Sequence, residues 1–492
     1  MKRISTVLFL LLSTISLSQE FVSELKMNLR KNRTVFQVVD EKNKQVVFFV
    51  GDDSQTTAVR FDNNFSVIDS INSPRPDKKY LSIIGSASKD NFHRIFWAST
   101  NNKEINSQTF NFENKQVTNE VFKLDFKKER IIQKTTINGN FYILSLVNDS
   151  NIIKFYVFDK DGKLEIKTID ASSYTLINSY GEVSSLYACF EESFYPFEQS
   201  FSLQNIEDGT PASLTFAANK RKIYNTSNEI VLSFDNNVKY TQLFKINLTD
   251  FSISRKSILQ PTEGFPVEKE VYDSQNYDPR PNINSNSFIV KDKIFQIRLC
   301  PDLVQISIKD FDGNEIKSYK AIQNQPLDFK NSEIIQENGS VNKKRVLDSS
   351  NQFIRKLYNS NPGITCFLKD GNYYTTIGSV SEAQQEMSGA MMAGAMFGIA
   401  GVLIAAALTS NSNVANYDSY RNRKIVYING LFDNNFNHVN GDLKPLAFDR
   451  LREFASENKK ESDLTIFKFN SYLYLGAYNN KNKTYSFNRF IE

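Results

Sequence analysis

A strand, a turn rich in Asp, Asn or Gly, and a second strand recur along this chain, and the spacing of the copies is its most constraining feature. The copies read "VRFDNNFSV" (59–67), "TFNFENKQV" (109–117), "FYVFDKDGKLEI" (155–166), "SFSLQNIEDG" (200–209), "LFKINLTDFSI" (243–253), "ISIKDFDGNEI" (306–316) and "GLFDNNFNHV" (430–439). Anchored on the end of the first strand, Phe61, Phe112, Phe158, Leu203 and Ile246 lie about 43–51 residues apart, the length of one four-stranded propeller blade. The first and last copies share Phe-Asp-Asn-Asn-Phe. The longer step from Ile308 to Phe432 leaves room for one further blade plus an insertion.

The strand signal is consistent along the chain. "TVFQVV", "QVVFFV" and "TTAVRF" alternate with period two between Asp-, Asn- and Lys-rich turns, and helical periodicity is scarce before residue 380. A single four-stranded sheet has two apolar faces and cannot bury both alone, whereas a ring of such sheets does. A pair of β-sandwiches also gives short strands and frequent turns. The near-constant step favours an all-β β-propeller of seven blades, or alternatively eight. The hairpin "YLYLGAYNNKNKTYSFNRF" (472–490) is expected to complete a blade begun by strands near the N-terminus.

Lys2 and Arg3, the apolar "VLFLLL" (7–12) and "SLS" before Gln19 read as a secretory signal peptide over residues 1–18. The propeller then occupies 19–492, exported and with no cysteine near the cut to carry a lipid. The formal charge of +4 comes from balanced basic and acidic residues and shows no basic stripe, so no nucleic-acid partner is implied. Cys189, Cys300 and Cys366 are scattered in apolar stretches ("LYACF", "FQIRLC") read as strands. They are expected to be buried thiols rather than a metal cluster.

Against this background "EMSGAMMAGAMFGIAGVLIAAALTS" (386–410) stands apart: Met387 to Leu408 carries no charge. It separates "NYYTTIGSV" from "RKIVYING", two strands expected to pair within one late blade, so the insertion spans 381–420. Ser379 with Glu382, or Ser381 with Gln384, matches a capping box, and "TSNSN" is expected to stop the helix. Some 27 residues of helix would extend roughly 40 Å, unless "GIAG" (398–401) breaks it.

Four readings compete. A transmembrane helix suits the length but would put neighbouring strands of one blade on opposite sides of a bilayer. A helix buried in the propeller needs apolar surroundings that a narrow polar channel lacks. A floppy loop leaves ten large apolar side chains wet, forgoing on the order of 15–30 kcal/mol of burial. A projecting finger that buries itself in a partner meets none of these objections. Gly394 and Gly398 allow close backbone approach, and methionines adapt to an irregular surface. The candidate partner-binding residues are Met391, Met392, Gly394, Met396, Phe397, Gly398, Ile399, Val402, Leu403 and Ile404.

Catalytic signatures are sparse. His93 reads as structural and His438 as solvated. There is no HExxH, G-x-S-x-G or phosphate-binding glycine loop. "DKDG" (159–162) and "KDFDG" (309–313) have too few ligands for calcium and read as turns. "FEESFYPFEQ" (190–199) places Glu191, Glu192 and Glu198 among aromatics, either as a sugar cleft or as a solvated loop. "LKPLAFDRLREFASENKKES" (443–462) reads as a short amphipathic helix packed on the last blades.

An exported, Asn- and aromatic-rich propeller with an apolar finger resembles the periplasmic plug of the type 9 secretion translocon. That resemblance implies a non-enzymatic, outer-membrane-associated protein that stops a barrel pore. Met391, Met392, Met396, Phe397, Ile399 and Leu403 would then contact the barrel mouth. The expected partner is an outer-membrane β-barrel or translocon protein, with lipid at the membrane surface, and no cofactor or metal. The alternative is an exported glycosidase-like hydrolase whose insertion serves as an anchor.

Overall fold

The structure, a computed structural model, describes residues 19–194, 196–266, 283–383, 411–458 and 461–491. The expected signal peptide and all ten candidate partner-binding residues lie outside the described residues. The chain divides into two compact units, Pro76–Lys444 and a second made from Met1–Arg75 with Pro445–Glu492.

Among the described residues the first unit holds five sheets of four or five strands, numbered here as blades 2 to 6. Blade 2 is the antiparallel meander Tyr80–Lys89, Phe92–Ser99, Glu104–Asn111, Gln116–Lys123, and blade 3 runs Glu129–Ile137, Asn140–Val147, Ile152–Phe158, Leu164–Asp170. Blade 5 repeats the pattern with Asn284–Val290, Lys293–Leu299, Leu303–Asp310 and Glu315–Ile322. In each, the middle strands are buried on both faces while the last strand is mostly exposed or half-buried, as "FYILSLV" against "LEIKTID" shows.

Blades 4 and 6 are elaborated. Blade 4 contains Arg221–Asn225, Glu229–Phe234, Tyr240–Asn247 and Ile253–Leu259, with a fifth strand, Gln204–Glu207, lying parallel to Arg221–Asn225. Before it come a hairpin (Leu176–Ile177 with Val183–Ser184), helix α1 (Leu186–Glu191) and, after the fifth strand, helix α2 (Leu214–Ala217). Blade 6 is ordered Asn361–Lys369, Asn372–Val380, Lys424–Phe432, Ile334–Asn338, Lys344–Leu347, with helix α3 (Ser350–Tyr358) and helix α4 (Ser412–Asp418) in its connections.

The second unit holds blade 1 (Thr34–Asp40, Gln45–Gly51, Gln55–Phe61, Val67–Pro74) and blade 7. In blade 7, Ser462–Phe469, Tyr472–Asn479 and Thr484–Ile491 are joined by Gln19–Lys26, which pairs with the last strand from Gln19↔Phe490 to Lys26↔Thr484. The terminal hairpin thus completes a sheet with an N-terminal strand. Helix α5 (Ala447–Glu457) buries Phe448 and Leu451, and Phe454 meets Phe490 edge-on at 5.7 Å. Seven sheets of four or five strands among the described residues are the blade pattern of a β-propeller.

The recurring turn has a shared mechanism. Asp62 Oδ1 accepts the backbone N–H groups of Asn64 and Ser66, and Asp433 Oδ1 accepts those of Asn435 and Asn437. Asp159 and Asp310 do the same for Lys163, and for Asp312 and Asn314, which leaves these loops as turns. A left-handed residue then closes the turn: glycine at 162 and 313, but Phe65 (φ 63°) and Phe436 (φ 59°) in the two identical pentapeptides. A side chain there costs about 1–2 kcal/mol of backbone strain. Burial offsets it, since Phe65 stacks on Phe61 at 4.4 Å and Tyr474 at 4.6 Å, and Phe436 lies 4.8 Å from Tyr373.

Several sequence expectations are corrected. The copy anchored on Leu203 is no blade hairpin; its residues feed the parallel strand Gln204–Glu207, and the true third strand of blade 4 ends near Ile246. "LYACF" forms α1 rather than a strand, because Ser185 caps it and its apolar residues face one core cluster. Ser379 caps nothing: it lies in a strand and its hydroxyl donates to the Lys356 carbonyl. The helix that "TSNSN" is expected to stop lies outside the described residues; Asn411 itself caps the start of α4, its Oδ1 accepting the Val414 N–H at 3.1 Å. His438 is half-buried rather than solvated, with Nε2 2.9 Å from Asn331 Oδ1.

Candidate functional site

The insertion leaves blade 6 between strands that stay paired to its edge. Asn372–Val380 and Lys424–Phe432 are in register from Tyr373↔Phe432 to Val380↔Ile425. Beyond Val380 the Ser381 N–H donates to the Lys424 carbonyl at 2.8 Å, the Lys424 N–H donates to Ser381 Oγ at 2.9 Å, and Arg423 Nη1 donates to the Ser381 carbonyl at 3.0 Å. The Arg423 guanidinium also lies over the Phe197 ring at 5.3 Å. The two ends of the insertion are therefore clamped side by side.

The returning end is rooted on a platform made by residues 204–218. Asn416 accepts the Ser213 N–H at 2.7 Å and donates to the Pro211 carbonyl at 2.8 Å. Tyr420 Oη accepts the Leu214 N–H at 2.8 Å, and the Ser419 hydroxyl contacts Ser213 Oγ at 2.9 Å. Glu207 accepts from the Ser412 hydroxyl and, at 2.6 Å, from Asn413 Nδ2. Burial raises the Glu207 carboxyl to about 7, partly opposed by the Asn413 hydrogen bond.

Glycine makes room for this platform. A Cβ on Gly378 would sit 2.0 Å from the Val426 carbonyl oxygen and 2.9 Å from Leu214 Cδ2. Only a bare backbone lets α2 lie against the strand that leads into the insertion. Leu214, Ala218, Val380, Tyr420 and Ile425 then form a small buried cluster beneath the root.

The acidic "FEESFYPFEQ" segment is put to structural use. Glu191 is exposed. Glu192 accepts the Ser179 N–H at 2.9 Å and hydroxyl at 3.0 Å, together with Asn236 Nδ2. Glu198 is buried and receives Arg221 Nε at 2.7 Å and the Lys220 N–H at 2.5 Å. The Arg221 Nη groups reach the carbonyls of Cys189, Phe190, Glu192 and Gln199. No converging carboxylate pair results; the segment is an irregular loop with Glu191, Ser193, Pro196 and Gln199 exposed, held from beneath by a buried guanidinium.

Next to it, Lys222 Nζ donates to Asp235 Oδ2 at 3.0 Å and Asn286 Oδ1 at 2.7 Å. Asp235 also accepts from Thr241 Oγ1 and the Ser287 hydroxyl, both at 2.8 Å. The Lys220 ammonium donates to Asn284 Oδ1 at 2.8 Å, and burial lowers its pKa to about 8. These pairs stitch the first antiparallel strands of blades 4 and 5. Among the described residues no group of three or more His, Cys, Asp or Glu could hold a metal, and no helix is long and apolar enough to cross a membrane.

No protein-family model matches the chain, and no curated protein matches it. Solved structures resemble it weakly. An apocarotenoid oxygenase of Synechocystis aligns over 60% of this chain and 62% of its own, at 6% identity and a TM-score of 0.28. AofleA of Arthrobotrys oligospora aligns over 73% and 83%, at 9% identity and 0.24. A prolyl endopeptidase structure aligns over 91% and 46%, at 6% identity and 0.34. The chain thus spans less than two thirds of the oxygenase's length. At such identities the likeness carries nothing about activity or ligands. The sheets themselves define the class: an all-β protein of propeller type with an apolar insertion in blade 6.

Proposed function

We propose that this chain is a non-enzymatic docking protein that uses its propeller as a mount and buries the Met387–Leu408 insertion in a membrane-embedded partner. One observation carries the reading: the described residues that flank the uncharged segment are anchored on two blades, Ser381 to Lys424 of blade 6, and Asn416 and Tyr420 to residues 211–214, which follow the fifth strand of blade 4. A segment of that composition, held firmly at its root, is suited to transmit force or position between the propeller and whatever covers it. The signal-like N-terminus favours an envelope setting, with an outer-membrane β-barrel complex as the partner. The narrower form is a plug for the pore of a type 9 secretion translocon, with Met391, Met392, Met396, Phe397, Ile399 and Leu403 at the barrel mouth.

The test is co-purification from detergent-solubilised envelope. Tagged wild-type protein is compared with a variant in which residues 387–408 are replaced by a short Gly-Ser linker. The variant should stay folded by circular dichroism and lose a membrane partner. A folded variant with an unchanged set of partners overturns the reading.

A further inference from the structure

We propose that Glu207 is a protonation-controlled latch for the root of the insertion, tight when its carboxyl is neutral and loosened when it ionises. The proposal rests on geometry first. Glu207 ends the parallel strand of blade 4, opposite Asn225, and its two oxygens are the contacts that join this strand to Ser412 and Asn413 at the start of α4. Those two residues lie shortly after the uncharged Met387–Leu408 run, about 205 positions along the chain from the carboxylate that holds them.

The surroundings decide the sign. The small pocket around the carboxylate is lined by Asn205, Ile206, Thr210, Ala212, Phe216 and Asn416 besides the two hydrogen-bond donors. None of these is charged, and among the described residues no cation pairs with Glu207. The charged groups on the elements around it are engaged elsewhere. Asp208 is exposed and 3.3 Å from Lys291, while Asp418 of α4 pairs with Arg421 at 2.7 Å. Strand Arg221–Asn225 contributes Arg221 and Lys222, which are bound to Glu198 and Asp235, and α2 has no titratable side chain.

An ionised carboxylate here pays desolvation with two neutral donors as its only compensation, whereas the neutral acid keeps an acceptor for each donor. Released to solvent, the same carboxyl returns to the ordinary range near 4.5, against about 7 when docked. The docked root therefore binds more protons than the released root. Docking strengthens as pH falls from about 7 towards 4.5 and reaches its weak plateau above about 7.5. The latch controls the docking element only if the preceding functional reading holds, but it is measured on the isolated chain, so either can fail alone.

Amide hydrogen exchange of the full chain, read by mass spectrometry on peptides covering 411–420, tests it. Rates are corrected for the intrinsic pH dependence of exchange, with blade 3 peptides as the internal reference. Protection of 411–420 should rise about 20-fold between pH 7.5 and 5.5, up to tenfold per pH unit in the middle of the range. Glu207→Gln keeps the shape without a charge, its Oε1 accepting from Asn413 Nδ2 and its Nε2 donating to a turned Ser412 hydroxyl, and should give high protection that does not change with pH. A flat wild-type profile overturns the proposal even if the variant fails to fold. So does a Glu207→Gln profile as steep as wild type. If the latch titrates as described but the linker-replaced protein keeps its partners, the docking reading falls and the latch stands.

Discussion

Removing Glu198 should unbalance a buried charge, and the cost follows from its surroundings. The Arg221 and Glu198 side chains are 0% and 1% exposed, so water cannot replace the lost carboxylate. Truncation to Ala leaves the guanidinium with neutral partners only, four carbonyls and the Ser202 hydroxyl, and breaking one side of a buried pair costs about 3–5 kcal/mol. Glu198→Gln should be only modestly kinder, because its amide NH2 must point at either Arg221 Nε or the Lys220 N–H, both donors to Glu198. Arg221→Met should be at least as damaging, since the carbonyls of Cys189, Phe190, Glu192 and Gln199 each lose a donor. The double variant should therefore cost far less than the sum of the singles, with a coupling energy of about 2–3 kcal/mol. Urea denaturation read by Trp97, the single tryptophan and fully buried in the same unit, measures this directly. A loss under about 1 kcal/mol for Glu198→Ala would mean that solvent reaches the pair, and the reading of a segment held around a buried guanidinium would fail.

Three further outcomes are expected. Phe436→Ala should cost about 3–5 kcal/mol, and Phe436→Gly about 1 kcal/mol less because the left-handed strain is relieved; equal losses in thermal or urea melts would contradict the turn mechanism. Gly378→Val should displace α2 and raise proteolytic cleavage within 411–420 while the N-terminal blades stay protected, whereas uniform protection would show that α2 does not depend on that bare backbone. The thiols should be inert in the native protein: burial lifts Cys189 to about 12 and also raises Cys300 and Cys366, so a disulfide reagent at pH 8 should label three thiols only after denaturation.

The parts of the fold legible in the sequence were those governed by neighbouring residues. Asp62 and Asp433 bond to amides two and four residues on, so the shared pentapeptide announces its turn directly. Strand alternation in "QVVFFV" is equally local. Blade 4 defeated this reading because "LQNIEDG" imitates the repeat, while its actual pairing is parallel and set by Arg221–Asn225 downstream. The root of the insertion was hidden for the same reason. Nothing in "SNSNVANYDSY" names Glu207 or Ser213 as partners, although a run of uncharged amides beside an apolar stretch does hint at buried hydrogen bonding. The acidic loop shows the opposite limit: three carboxylates close in sequence are compatible with a cleft or with a solvated loop, and the fold leaves Glu191 exposed while Glu192 and Glu198 take separate partners set by distant residues.

The pairing of Gln19–Lys26 with Thr484–Ile491 also has a temporal consequence. During synthesis the Gln19–Lys26 strand waits for more than 450 further residues before its neighbour exists. Its backbone donors and acceptors are exposed throughout that interval, so an escort that keeps early strands from adhering to one another would matter more here than for a protein built of independent hairpins.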